Sequence, residues 1–244
     1  MSSQSAKIIN IVDDNNASME LDHIFIFTEF HEQVANRLHN FGLTEGSPNI
    51  HPGQGTSCRR FFFENAYLEI VWVSNEEEIK SPAIAATRLW ERSRYKHTNY
   101  CPFGMCFRNK QNIDNNPVLL FEDGWKYKPP YLPEGLYVNI ASNSVLPAEP
   151  MLFEMPFFGI APKDYPAEKL QPLHHQKEFK EITKLILTLP VAPEHLSASM
   201  QNVIDNSIVA LSSGSNFSVT LEFDHCIKGE THDFTDLVPL SVRW

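Results

Sequence analysis

The chain has 244 residues, of which 42% are hydrophobic and 20% charged. These values are ordinary for a globular protein and exclude bulk disorder. The formal net charge of −10 makes nucleic acid an unsuitable partner, because an acidic surface repels phosphate backbones. No stretch approaches the ~20 apolar residues of a membrane span, so we expect no membrane partner.

The N-terminus and the cysteines bear on the compartment. Residues 1–18 are polar and lack a basic region followed by an apolar run, so we interpret them as a flexible tail and not as a secretory signal. The cysteines, Cys58, Cys101, Cys106 and Cys226, form no CxxC pair and no disulfide framework. We therefore predict reduced thiols and a cytoplasmic protein.

The first half of the chain predicts a β-α-β-β-β unit. Residues 29–43 place apolar side chains at helical spacing before Gly42, a residue typical of a helix C-cap. Residues 59–73 alternate in polarity, with Glu69 and Val71 on one face, and predict two strands joined by a tight turn. Further strands are expected at 21–28 and 101–109, and partly helical structure at 76–98.

The same order of elements recurs near the C-terminus. We expect a strand at 180–190, a helix at 197–206 capped by Ser197, paired strands at 207–213 and 216–224, and a final strand at 232–244. The repeated order predicts an α+β fold of paired βαβββ modules.

The segment between the two units is rich in proline and aromatic residues. We expect it to form extended segments packed over the sheet, which either cap a pocket or cover an exposed sheet edge, or do both. The resulting prediction is a single domain at 19–244, made of module one at 19–109, the insertion at 110–178 and module two at 179–244.

His23 and Glu69 are the first candidate for a functional pair. His23 lies in the first strand with Phe25 and Phe27 on its face, and Glu69 lies in the third. An imidazole and a carboxylate that project into one cavity can hold a divalent metal, which would polarise a bound carbonyl. The same histidine also fits a packed residue whose ring nitrogens are satisfied within the strand.

The HPGQGT segment, residues 51–56, is the second candidate. Its glycines let the backbone approach a ligand closely. His51 could donate a hydrogen bond or a proton to a substrate oxygen, and Arg59 could anchor a carboxylate. The alternative is a structural turn with Arg59 in a surface ion pair.

These motifs together resemble a known family. LDHI at 21–24, HPGQGT at 51–56 followed by Arg59, and YLEI at 67–70 resemble the vicinal-oxygen-chelate superfamily, in particular its glyoxalase-like branch with a His-Pro-Gly-x-Gly-Thr loop. The resemblance implies a cup-shaped mixed sheet with a metal or ligand inside. Members of this superfamily with metal act as isomerases, lyases, epimerases or dioxygenases, and others bind small molecules without catalysis.

The resemblance also implies roles for individual residues. His23 and Glu69 match metal ligands of the first and third strands. Glu222 is placed as the counterpart of Glu69, as a third ligand or a general base. Lys184 stands where the second module would carry a histidine, and a protonated lysine repels a cation. His51 is placed at the pocket rim.

Two main hypotheses follow. The first is an enzyme that uses a divalent metal (Zn, Fe, Mn or Ni) held by His23, Glu69 and Glu222, with Glu222 and His51 catalytic and with His51, Arg59 and Lys184 binding substrate. The second is a metal-free binding protein in which Lys184 pairs with a carboxylate. A third is a degenerate member kept for protein interaction. The expected partner is a small-molecule ligand, and the protein is expected to be a monomer or homodimer.

Overall fold

Residues 19–109, 119–155 and 159–244 are described by the computed structural model of the chain. The predicted flexible tail, residues 1–18, lies outside these ranges. The described residues form an α+β fold whose mixed sheet curls into a cup, as predicted. Among them, no helix combines the length and the apolar character that a membrane crossing requires.

The first sheet has eight strands. They are β1 (Met19–Phe27), β2 (Asn49–His51), β3 (Thr56–Phe62), β4 (Tyr67–Val73), β5 (Phe103–Asn109), β6 (Trp125–Tyr127), β7 (Val138–Ile140) and β8 (Met151–Glu154). Their order is β2-β3-β4-β1-β5-β8-β7-β6. β1 is central, parallel to β4 and antiparallel to β5. The predicted strand pair within 59–73 and the strand at 101–109 are confirmed.

Local sequence determines the ends of the two longer helices. α1 ends where Gly42 adopts a φ of +112°, a left-handed conformation that glycine tolerates. α6 begins after Ser197, whose hydroxyl accepts a hydrogen bond from the backbone N–H of Met200. Both predicted caps are confirmed. The helices are α1 (His31–Phe41), α2 (Glu76–Ile79), α3 (Pro82–Ala85), α4 (Leu89–Ser93), α5 (Tyr95–Thr98) and α6 (Ala198–Asn206). Short 3-10 turns occur at Ser142–Val145, Pro162–Asp164, Ala167–Lys169, Pro193–His195 and Asp224–Cys226.

The second sheet corrects two predictions. Its strands are β9 (Ile182–Leu189), β10 (Val209–Ser213), β11 (Ser218–Phe223), β12 (Thr231–Asp233) and β13 (Leu240–Arg243), in the order β10-β9-β11-β13-β12. The expected pairing of 207–213 with 216–224 is wrong, because β9 lies between β10 and β11. The single final strand is also wrong. β12 and β13 form an antiparallel pair, and Pro239, which has no N–H to donate, lies in the segment between them.

The two sheets repeat one topology. The run β4-β1-β5-β8-β7 and the run β10-β9-β11-β13-β12 have the same parallel and antiparallel pairings at each step. β11 is therefore the counterpart of β5, and β10 the counterpart of β4. The predicted equivalence of Glu222 on β11 with Glu69 on β4 does not hold.

The two sheets share a continuous hydrophobic core on one face of each. Ile24 and Ile26 of β1 lie in it without exposed surface. The rings of Phe63 and Phe223, 4.6 Å apart, join the two sheets. Alternate residues of β1, such as Phe25 and Phe27, face the opposite side. The strands therefore have one face for packing and a second face that is available for a ligand. The cysteines are free, as predicted.

Candidate functional site

A cavity of about 600 Å³ lies on the face of the first sheet opposite the shared core. Small-molecule sites commonly have volumes of roughly 300–1,000 Å³. β1, β3 and β4 supply one side, and the segments around β6 to β8 and at 160–171 supply the other. The aromatic lining residues are Phe25, Phe27, Phe62, Tyr67, Tyr127, Tyr131, Phe153 and Tyr165. The inserted segment thus both encloses the cavity and pairs with the edge of β5 through β8.

A β-bulge in β1 brings two neighbouring polar side chains to this cavity. Leu21 pairs with Phe107 and His23 with Cys106, so Asp22 is the extra residue of β1. In a regular strand, consecutive side chains point to opposite faces, but a bulge redirects one of them. Asp22 and His23 both line the cavity as a result. Sequence reasoning missed Asp22 because strict alternation places it on the core face.

Asp22 orients the imidazole of His23. Oδ1 of Asp22 lies 2.7 Å from Nδ1 of His23, and Oδ2 accepts a hydrogen bond of 2.9 Å from Nη1 of Arg108. All three side chains are buried. Burial alone would raise the pKa of Asp22, but the hydrogen bonds and charges of His23 and Arg108 outweigh it and hold that pKa below its usual range. The ionised carboxylate therefore places a proton on Nδ1, which leaves Nε2 available to a ligand.

Glu69 faces the same cavity from β4. It pairs in register with Phe25 and lies two residues beyond Tyr67, the partner of His23. Its side chain is buried, and Oε1 accepts a 3.4 Å hydrogen bond from the thiol of Cys58. Within the described ranges, no cationic side chain lies within 4 Å of Glu69. The predicted convergence of His23 and Glu69 on one hollow is therefore present in the geometry.

The neighbouring arginine on β3 does not pair with Glu69. Arg60 is the cross-strand partner of Glu69. Its Nε and Nη2 instead donate hydrogen bonds of 2.8 Å each to the carbonyl and the hydroxyl of Ser47. The guanidinium is thus directed towards the chain before β2 and leaves the carboxylate of Glu69 without an ion pair.

The ring of His51 is held within the wall of the cavity. The backbone N–H of Ile50 donates to Oδ1 of Asn49, so Nδ2 of Asn49 is the atom that faces Nε2 of His51, at 3.0 Å. Nδ1 of His51 then carries the proton and donates to the hydroxyl of Thr56, at 2.9 Å. Burial lowers the pKa of His51 and outweighs the opposing negative charge of Glu69. The ring is neutral, and neither nitrogen is directed to a ligand.

The HPGQGT segment forms the tight connection between β2 and β3. Gly53 and Gly55 have φ values of +78° and +77°, where only glycine is unstrained. A Cβ on Gly55 would lie 2.3 Å from the carbonyl oxygen of Asn75. Gln54 bridges the turn to the cavity, because its amide donates to Thr56 and accepts from the hydroxyl of Tyr127. This segment therefore builds the end wall of the cavity.

The remaining residues expected at the site lie elsewhere. Arg59 points to the face of β3 opposite Arg60 and forms a two-point ion pair with Glu45. Lys184 and Glu222 are cross-strand neighbours in the second sheet, and Glu222 pairs with Arg243. None of Arg59, Lys184 and Glu222 lines the cavity. Arg59 matches the structural alternative considered from the sequence, a surface ion pair.

The described residues contain one group of three potential metal ligands, Asp22, His23 and Cys106, whose ligand atoms lie within 4.8 Å of one another. The group does not fit an ion. Asp22 is already paired with Arg108, whose positive charge would repel a metal, and Nδ1 of His23 is bonded to Asp22. Burial, and then the charge of Asp22, raise the pKa of Cys106, which keeps the thiol protonated.

Comparison with known proteins supports the fold and the motifs. Residues 21–134 match a family model described as a glyoxalase-like domain. The crystal structure of a hypothetical protein from Staphylococcus aureus is similar with a TM-score of 0.54 and 10% sequence identity, over 92% of this chain and 99% of that chain. At that identity the likeness shows the fold alone. No curated protein matches the sequence.

Proposed function

Because residues 21–134 match a glyoxalase-like domain, we propose that this protein is an enzyme that moves a proton next to a carbonyl group of a small molecule. The observation that carries the proposal is the buried pair of Asp22 and His23. Nδ1 of His23 is hydrogen-bonded to Asp22, Nε2 is available to a ligand, and His23 lines the cavity. A histidine oriented by a carboxylate is a common general base.

The chemistry assigned to the pair is simple. Nε2 of His23 takes a proton from a carbon beside the ligand carbonyl, and the electron pair moves onto the carbonyl oxygen. Asp22 stabilises the imidazolium that forms, and Arg108 keeps Asp22 ionised. Return of the proton to a neighbouring atom gives an isomerase, and departure of a leaving group gives a lyase. General base catalysis of this kind contributes roughly 10²–10⁴-fold in rate.

One of the three residues expected from the sequence to hold a divalent metal lies outside the cavity in the tertiary structure. Glu222 lies in the other sheet, so His23 and Glu69 are the two remaining members of the expected set. Catalytic zinc sites use three protein ligands. No step of the proposed reaction therefore passes through a metal.

Binding without catalysis is the second candidate function. It is favoured by the aromatic walls of the cavity, which supply apolar contact to a ligand irrespective of any reaction. The two candidate functions assign different roles to His23. In catalysis it acts as the base, and in simple binding it is only part of the cavity wall.

Hydrogen–deuterium exchange distinguishes them. A panel of small ketones and aldehydes is screened by thermal shift, and each ligand that binds is incubated in D₂O and followed by proton NMR. We expect the wild-type protein to accelerate exchange at the carbon beside the carbonyl. His23→Gln should lose that acceleration by about 10²-fold or more while retaining ligand. His39→Gln, which changes an exposed histidine of α1, is the matched control.

The other outcomes have clear meanings. Ligands that bind without exchange would assign the protein to the binding class. Exchange that persists in His23→Gln would remove His23 from the reaction. If none of the carbonyl compounds binds, the cavity is not a site for this ligand class.

A further inference from the structure

Resting on the proposed small-molecule cavity, we propose that the natural ligand is an organic cation, whose positively charged nitrogen lies against Glu69 and between aromatic rings. The relevant juxtaposition is a buried carboxylate without a protein cation beside it, within a wall of aromatic side chains.

The carboxylate is the first part of the argument. Glu69 is only 6% exposed, and its hydrogen-bond donor is the thiol of Cys58. A thiol is a weak donor, and an ionised carboxylate removed from water is strongly unfavourable unless it is paired. A ligand cation would supply that pairing. A neutral ligand would leave the carboxylate unpaired, and an anionic ligand would be repelled by it.

The arginines near the cavity have other polar partners than Glu69. Arg108 is paired with Asp22, and Arg60 donates to Ser47. Lys169 lies on the exposed segment at the mouth. Among the described residues, Glu69 thus forms no ion pair, while Asp22 is paired with Arg108.

The aromatic walls are the second, independent observation. Phe25, the cross-strand neighbour of Glu69, lines the cavity together with Phe153, and the centroids of the two rings lie 6.1 Å apart. Tyr131 belongs to the inserted segment, and its ring centroid lies 5.0 Å from that of His51. Aromatic faces attract ammonium groups, more strongly when water is excluded, and cages of such rings recognise alkylated ammonium ions. A net charge of −10 favours the approach of cations.

A pair of isosteric ketones tests the proposal. Acetonyltrimethylammonium and neopentyl methyl ketone have nearly the same shape. The first carries a positively charged nitrogen at the position where the second has a neutral carbon. Isothermal titration calorimetry measures the binding of each to the wild-type protein, to Glu69→Gln and to Glu168→Gln. Glu168 is an exposed carboxylate at the cavity mouth and serves as the matched control.

We expect the wild-type protein to bind the cation at least about tenfold more tightly than the neutral ketone. Glu69→Gln should lose this preference and Glu168→Gln should keep it. The wild-type comparison needs no variant, so it stays decisive even if Glu69→Gln folds poorly.

Three results would overturn the inference. Equal binding of the two ketones would rule out a preference for a cationic ligand, but it would still show that the cavity binds small molecules. Stoichiometric zinc binding that Glu69→Gln abolishes would assign Glu69 to a metal instead. Failure of both ketones to bind, together with failure of the carbonyl panel, would remove the proposed function as well.

Discussion

Asp22 and His23 are consecutive residues of one strand, and yet their side chains face the same cavity. A hydrogen bond of 2.7 Å joins Oδ1 of Asp22 and Nδ1 of His23. A regular strand would direct them to opposite faces. The bulge between Leu21 and His23 removes that alternation and so creates the pair. The pair depends on Arg108, which holds the second oxygen of the same carboxylate.

Replacement of Asp22 should therefore destabilise the protein. Asp22→Asn removes the buried counter-ion of Arg108 and leaves only the partly exposed Glu20, whose carboxylate lies 3.6 Å from Nε of Arg108. Loss of one partner of a buried ion pair costs about 3–5 kcal/mol. Urea unfolding at pH 7 measures the difference. Asp236→Asn, which breaks an exposed ion pair with Arg37, is the control and should change the free energy of unfolding by less than about 1 kcal/mol.

The effect of Asp22 should also depend on pH. The pKa of Asp22 in the folded protein lies below its usual value of about 4, so the ionised group stabilises the fold above that pH. This contribution is lost as the pH falls through the lower pKa of the folded state. The difference in stability between the wild-type protein and Asp22→Asn should thus be constant above about pH 5 and shrink below pH 4. A difference that grows in acid would contradict the assignment.

Gly104 makes room for the aromatic wall of the cavity. A Cβ at this position of β5 would lie 2.2 Å from Cε1 and Cζ of Phe25. Gly104→Ala should push the ring of Phe25 into the cavity, with an overpacking cost of about 1–3 kcal/mol and weaker binding of acetonyltrimethylammonium. Urea unfolding and calorimetry measure the two effects. Gly159→Ala, whose Cβ would meet no atom of the described residues within 4 Å, should leave both unchanged.

His51 should remain neutral, with its proton on Nδ1, at pH values where an ordinary histidine is protonated. Burial lowers the pKa of His51, and the ordinary value is about 6.5. Since the unfolded chain binds this proton more readily, the contribution of His51 to stability is present above about pH 6.5 and lost as the pH falls through the lower pKa of the folded state. Nitrogen-15 NMR of the ring, with the urea-unfolded protein as reference, reports the protonation state.

Asn49→Asp is the variant that tests the cause. An aspartate there places an acceptor opposite Nε2 of His51, where the amide now donates. The ring should then carry both protons at neutral pH, which the same NMR experiment detects. An unchanged spectrum in Asn49→Asp would mean that the hydrogen bond to Asn49 does not determine the tautomer.

Metal binding provides a further test. Protein purified without chelator should contain no stoichiometric divalent metal. The carboxylate of Asp22 is already paired with Arg108, and Glu222 lies in the second sheet. Elemental analysis followed by titration with zinc checks this, and His23→Ala and Glu69→Ala should behave as the wild-type protein does. A stoichiometric ion that either variant loses would restore the metal assignment and remove the proposed metal-free reaction.

The sequence alone predicted the features that depend on near neighbours. The helical spacing before Gly42, the cap at Ser197 and the alternation along β4 are local patterns, and the structure confirms them. The motifs LDHI and YLEI also identified His23 and Glu69, because regular alternation places both on one face of their strands. The match to a glyoxalase-like domain over 21–134 rests on the same local segments.

The tertiary structure decided the rest, because strand pairing joins residues that are distant in sequence. Which strand lies beside β9 determined that Glu222 and Lys184 are outside the cavity. A single extra residue in β1 placed Asp22 beside His23, a change of face that no periodic pattern reveals. Part of the aromatic wall, including Tyr127, Tyr131 and Phe153, is supplied by the inserted segment, whose irregular composition gave no register from which its contacts could be predicted.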